Sequence, residues 1–134
     1  MTFNYADLTP QHFVASINWI WKMSAPSKWN LTPEEIAILI GMNVREYLEI
    51  QKMANEDQSF LLQPDVAERL SLLLGIWKRL QLMGFSDDTA IAVFNRKNNG
   101  ELLNGKSIKS FLLESSSLAE YYAVNSYLEM KIII

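Results

Sequence analysis

Cysteine is absent from this 134-residue chain, and His12 is its only imidazole. Without thiols there is no disulfide framework, no thiolate nucleophile and no cysteine-based zinc site. Basic charge is not in excess. Twelve Lys and Arg against fifteen Asp and Glu give a net charge of -3, so no global field draws the chain to nucleic acid and any DNA contact has to be local. Long hydrophobic runs are missing as well, all falling far short of the roughly 20 residues of a membrane span. The opening MTFNYADLTP has neither the basic start nor the apolar core of a signal peptide. A soluble, cytoplasmic protein with no membrane partner, no metal and no cofactor is the expectation.

What is present is core material. The apolar fraction is 49%, with four Trp, six Phe and five Tyr, and a chain of this length buries roughly two thirds of the surface that its unfolded form exposes. Strand signals hardly appear, while helix starts recur. Thr32-Pro33-Glu34-Glu35 places a hydroxyl at the cap, a proline at the first helical position and a carboxylate that can bond back to the cap. Asn43-Val44-Arg45-Glu46 and Ser117-Leu118-Ala119-Glu120 repeat the arrangement, and Thr9-Pro10 and Ser86-Asp87-Asp88 are further starts. The fold class that follows is all-α.

Apolar spacing predicts a first helix at 10–23 with Phe13, Ile17, Ile20 and Trp21 on one face, then helices at 33–40 and 44 to about 53. The longest helix runs over 64–83 and carries Val66, Leu70, Leu73, Leu74, Trp77 and Leu80, with Leu82 widening the arc, which predicts a central, mostly buried element. Gly84 suits a left-handed stop. Shorter helices are expected at 87–94 and 108–113, and a last one from 118 to about 130. The polar stretch 55–63 separates two regions, 1–62 with a helix-turn-helix-like pattern and 63–134.

The helix-turn-helix pattern consists of Ala37, a small residue where helices cross, Gly41 in the turn, and a second capped helix. Asn43, Arg45, Glu46, Glu49 and Lys52 are the candidate DNA-facing residues, and their charges sum to zero, where phosphate-contacting helices are usually richer in Lys and Arg. A structural three-helix module is the alternative. No catalytic set emerges: Glu34, Glu35, Asp87 and Asp88 read as first-turn charges, Ser115 to Ser117 as turn and cap, and His12 as a first-turn residue facing water. The polar segment FNRKNNGELLNGKSIKSFL, Phe94 to Leu112, reads as a recognition loop, with Arg96, Lys97, Lys106 and Lys109 clustered in or beside it. Lys131 and the apolar end Ile132, Ile133 and Ile134 form a tail that either packs on the chain's own core or a second copy, or enters a partner's groove.

The same segment resembles bacterial antitoxins of the Xre/MbcA/ParS type, partners of RES-domain toxins. Phe94 stands where that family has an aromatic residue, Asn99 falls at the turn Asn, and Leu102, Gly105, Lys106 and Ser107 follow in order. Phe111 and Leu112 supply the apolar face of the short helix, and Ile108 replaces the usual proline. The likeness extends upstream through LSLLLGIWKRLQLMGFSDDTAIAVF and downstream to a closing helix with Tyr127 and Leu128. The resemblance implies a non-enzymatic homodimeric antitoxin that occludes the NAD-binding cleft of its cognate toxin. It implies toxin contacts at Lys97, Asn98, Asn99, Asn104, Lys106 and Lys131 to Ile134, with operator DNA as a further partner. A transcriptional regulator with a helical dimerisation domain and no toxin partner is the alternative.

Overall fold

The computed structural model of the chain describes residues 3–84, 86–100, 102–115 and 117–133. Among these residues the fold is all-α, with no strand. The helices are α1 (Pro10–Met23), α2 (Pro33–Ile40), α3 (Val44–Asn55), α4 (Pro64–Met83), α5 (Asp87–Asn95), α6 (Ile108–Leu113) and α7 (Leu118–Ile133), preceded by a 3-10 turn at Tyr5–Asp7. The chain divides into two compact units, Met1–Ser71 and Leu72–Ile134. The division falls inside α4, whereas polarity alone places a break after residue 62.

In the first unit α3 packs on both α1 and α2. Each start is chemically specified. Thr32 Oγ accepts the Glu35 N–H at 3.1 Å while Glu35 Oε1 accepts the Thr32 N–H at 2.9 Å, closing a capping box. Thr9 forms the same box with His12, whose Nδ1 accepts the Thr9 N–H at 2.9 Å. His12 is exposed as expected, but it does the work of a capping glutamate. Asn43 accepts from the Arg45 N–H at 2.8 Å, and the reciprocal bond through Glu46 expected from the sequence is not formed.

Phe13, Ile17, Ile20 and Met23 line the buried face of α1, and Trp29, Ile36, Leu39, Ile40 and Tyr47 complete the core with Val66 and Leu70. Trp21 does not join them. It is 43% exposed, because at about 100° per residue it falls on the rim of the face that Phe13, Ile17 and Ile20 define. The α3 helix runs to Asn55, two residues past its expected end, and the Asn18 amide donates to the Ala54 carbonyl there.

Along α4 the buried residues are Val66, Ala67, Leu70, Leu73, Ile76 and Leu80, one stripe rather than a full circumference. Leu82 lies on the opposite side and is 73% exposed, so it does not widen the arc as expected, and the helix is amphipathic. Gly84 does not adopt the left-handed conformation expected of it, and its N–H simply continues the ladder to the Leu80 carbonyl.

In the second unit α6 packs on α5 and α7. A polar clamp joins α4 to α7. Asn125, nearly buried, donates to the Leu72 carbonyl at 3.2 Å and to the Tyr121 carbonyl at 2.8 Å, and accepts from Arg79 at 3.1 Å. Arg79 also faces Glu129 at 3.6 Å. The approach is close enough that a Cβ on Gly75 would lie 2.7 Å from Asn125 Oδ1. No described helix is long and apolar enough to cross a membrane.

Candidate functional site

The turn between α2 and α3 is built around Gly41, which has φ of +74°. The Met42 N–H bonds to the Ala37 carbonyl at 2.9 Å and the Gly41 N–H to Ile38 at 3.2 Å, the pattern of a Schellman stop. Ala37 is buried, as a close helix crossing requires. The turn presents Asn43, Arg45, Glu46, Glu49 and Lys52 to solvent together with Leu48, which is 46% exposed. Arg45, Leu48 and Lys52 follow one another at spacings of three and four residues, so the two cations share a stripe. Glu46 and Glu49 form a parallel acidic one.

In the second unit the segment between α5 and α6 is a closed, internally bonded loop. The Asn98 N–H donates to the Lys106 carbonyl at 3.1 Å, and the Gly105 N–H donates back to the Asn98 carbonyl at 2.7 Å. Asn98 Oδ1 also accepts the Gly100 N–H at 2.7 Å. Thus Asn98, rather than Asn99, holds the turn. Asn104 and Gly105 take left-handed conformations with φ of 48° and 88°, which asparagine and glycine tolerate. Leu103 is buried, pinning the loop from inside. Ser107 caps α6 by accepting from the Ser110 N–H at 3.0 Å, with Ile108 at the first helical position.

Of the two aromatic residues that flank the loop, Phe94 is fully buried and Phe111 only half-buried. Lys97 and Asn99 are exposed. Lys106 is half-exposed and bonded to Glu114 at 2.6 Å, a pair that the sequence did not suggest because eight positions and a helix start separate its members.

The structure brings this loop to α7. A Cβ on Gly100 would come within 2.9 Å of the Tyr127 hydroxyl, and the Lys131 ammonium lies over the Tyr127 ring, 5.3 Å from its centre. Tyr127 therefore sits between the loop and Lys131 and belongs to the candidate surface. Its spacing of four from Lys131 on a helix was the available signal. Ile132 and Ile133 continue α7, which is longer than expected, and Ile134 lies outside the described residues. The reading of Ile132 to Ile134 as a covered or inserted tail concerns side chains outside those described.

A third feature was not anticipated. The end of α1, the loop after it and the start of α2 enclose an open cavity of about 550 Å³, with Trp21, Lys22, Pro26, Lys28, Leu31 and Pro33 in its wall.

Two groups depart from their ordinary proton affinity. Burial pushes the Tyr47 phenol well above its usual pKa, and its hydroxyl has no hydrogen-bond partner among the described residues. The hydroxyl of Ser117, 2.6 Å from Glu120 Oε2, and backbone N–H groups at the start of α7 hold the Glu120 carboxyl below its usual range. Neither group lies in a catalytic arrangement, and among the described residues no three His, Cys, Asp or Glu side chains converge as metal ligands.

What the described residues define is an all-α fold divided into two compact units. Compared with known proteins, the chain matches no family model, no curated protein and no solved structure.

Proposed function

We propose that the protein is a non-enzymatic antitoxin whose second unit binds a cognate RES-type, NAD-consuming toxin and occludes its cleft. The observation that supports this reading best is the polar and cationic loop between α5 and α6, whose described residues are tied by backbone bonds between Asn98 and Lys106 and between Gly105 and Asn98 and by buried Leu103. A loop already ordered loses little conformational entropy on docking, which is what a recognition element needs. Lys97, Asn99, Asn104, Lys106 and Lys131 are its contact residues, with Tyr127 between loop and helix. A homodimer is part of the proposal. Co-expression tests it: the toxin encoded beside this gene is neutralised and co-purifies with the chain. A toxin that stays fully active and yields no complex refutes it.

Lys106→Glu weakens that complex by about tenfold or more, the loss expected when a charged contact is reversed. Because Lys106 also pairs with Glu114, the double variant Lys106→Glu/Glu114→Lys separates the two roles. It restores the internal pair while leaving the contact reversed, so binding stays weak if Lys106 touches the toxin and recovers if it only holds the loop.

A second reading, a DNA-binding regulator, is supported by the α2–turn–α3 geometry and by the stripe of Arg45 and Lys52 beside the Asn43 cap. Two phosphate contacts per protomer correspond to a slope of about -2 in log K against log salt, and about -4 for a dimer. Gel-shift titration on the chain's own promoter measures it. A flat salt response removes the reading.

A further inference from the structure

The loop between α5 and α6 holds both Asn-Gly pairs of the chain, Asn99-Gly100 and Asn104-Gly105. Such pairs are chemically labile, because a glycine nitrogen with no Cβ beside it can attack the side-chain carbonyl of the preceding asparagine. Glycine is required at both positions. A Cβ on Gly100 would lie 2.9 Å from Asn98 Oδ1 and from the Tyr127 hydroxyl, and Gly105 has φ of +88°. The way this loop closes therefore builds two reactive pairs into it.

We propose that Asn99 is a modification site, deamidating spontaneously in the folded protein at a rate set by the Asn98 side chain, while Asn104 is locked against the same reaction. The proposal concerns the chain alone and depends on no partner.

In the reaction the Gly100 nitrogen gives up its proton to solvent and attacks Asn99 Cγ. The N–Cγ bond forms and the Cγ–Nδ2 bond breaks, Nδ2 takes up a proton and leaves as ammonia, and a five-membered succinimide is closed. Water then adds to either ring carbonyl and reopens the ring as aspartate or isoaspartate. Water is the only co-reactant, and nothing is oxidised or reduced. The product places a carboxylate next to Gly100 in a segment that carries Lys97 and Lys106, so the loop loses positive charge.

The hydrogen bonds separate the two pairs. Around Asn104 they are all between backbone groups: the Asn104 N–H donates to the Gly100 carbonyl at 2.9 Å, the Gly105 N–H to the Asn98 carbonyl at 2.7 Å and the Lys106 N–H to the Leu103 carbonyl at 3.0 Å. Asn104 itself has φ of 48°, and buried Leu103 fixes the chain just before it. Freeing the Gly105 nitrogen therefore means opening the loop as a unit. The Gly100 N–H is held differently. Among the described residues its acceptor is a side chain, Asn98 Oδ1 at 2.7 Å, in an Asx turn. One rotation of the Asn98 side chain releases it and leaves the backbone bonds of Asn98 in place. Asn99 is exposed, and its amide makes no hydrogen bond to a described residue, so it is able to turn onto the released nitrogen.

Peptide mapping by mass spectrometry tests this. The full-length chain is aged in mildly alkaline buffer beside a synthetic peptide of the sequence NNGELLNGK, which trypsin releases from the protein as residues 98–106. Fragment ions then assign each amide-to-acid mass gain to one asparagine. In the free peptide both Asn-Gly pairs convert; in the folded chain Asn99 converts and Asn104 lags it by about tenfold or more, because several backbone bonds must open together. Asn98→Ala removes the side-chain acceptor but keeps the backbone carbonyl that holds Gly105. It should speed Asn99 by about threefold to tenfold, the factor that one neutral hydrogen bond is worth, and leave Asn104 unchanged. Asn98→Asp restores an acceptor and should return Asn99 towards the wild-type rate. Circular dichroism confirms that both variants keep the wild-type helix content. An Asn99 that stays intact after the peptide has converted, an Asn104 that keeps pace with Asn99, or an Asn98→Ala variant that leaves Asn99 unaffected overturns the proposal. Equal acceleration at both sites also overturns it, since Asn98 would then hold the whole loop rather than the Gly100 nitrogen.

Discussion

Gly75→Ala separates two opposing effects at the α4–α7 crossing. In an ordinary helix interior, alanine is more stable than glycine by about 0.5–1 kcal/mol. Here the added methyl would lie 2.7 Å from Asn125 Oδ1 and 3.1 Å from Arg79 Nη1, so something has to move. Asn125 cannot swing into solvent without dropping its bonds, since it is only 7% exposed and bridges Leu72, Tyr121 and Arg79. Displacing it loses the Arg79 bond and weakens at least one to a carbonyl, at about 0.5–1.5 kcal/mol for a neutral bond and up to about 3 kcal/mol for a charged one. The charged value is discounted, because the Arg79 side chain is 27% exposed and water replaces part of the loss. The expected net is a destabilisation of about 1–2 kcal/mol, read from urea unfolding by circular dichroism. In an Asn125→Ala background the carbonyl oxygen is gone and only the flexible end of Arg79 has to shift, so the same Gly75→Ala change should stabilise by up to about 0.5–1 kcal/mol. The sign reversal is the diagnostic. If Gly75→Ala stabilises both backgrounds equally, the clamp is not what requires glycine there.

Removing the Tyr47 hydroxyl, which is fully buried with no partner among the described residues, should stabilise the first unit by about 1 kcal/mol in Tyr47→Phe; a clear loss of stability in thermal unfolding would mean that the hydroxyl is satisfied. Ser107→Ala should cost about 1 kcal/mol by uncapping α6, with faster amide exchange at Ser110 as the local readout. Glu120 has a folded-state pKa below its unfolded value, so its contribution is present above the unfolded pKa and is lost as pH falls through the folded one. Carboxyl NMR should show it titrating below the usual glutamate range, and Ser117→Ala should move it back up; an unmoved titration assigns the shift to the backbone. Gly41→Ala should destabilise by about 1–2 kcal/mol, because φ of +74° is strained for any residue with a Cβ, and an unchanged melting temperature would show that the turn relaxes.

The helix starts were legible because their determinants are local. Thr9-Pro10, Thr32-Pro33 and Ser107 satisfy backbone donors three residues away, so a short window of residues carries the whole interaction. Exposure of Arg45, Glu46, Glu49 and Lys52 on α3 followed from periodicity in the same way. Rim positions were less legible. Trp21 and Leu82 look like core residues by type, yet each falls at or beyond the rim of its helix's buried stripe, and how far the neighbouring helices reach over that rim decides that both face water.

The loop after α5 shows where local reading stops. Its polarity, its asparagines and its glycines announced a turn, but two adjacent asparagines cannot be ranked without knowing which carbonyl meets which N–H across the loop. The structure chose Asn98. Likewise, no window of sequence pairs Lys106 with Glu114, sets Gly100 against Tyr127, or places Asn125 between Leu72 and Arg79.

The sequence by itself determined that this protein is all-α, where most helices begin, and that it holds no cysteine chemistry, because capping, periodicity and composition act over a few residues or none. Tertiary structure alone decided which large apolar side chains stay in water, which glycines mark close approaches, and that an indole, two prolines and two lysines enclose a groove. Those depend on distances between segments far apart in the chain, which packing sets and no local propensity encodes.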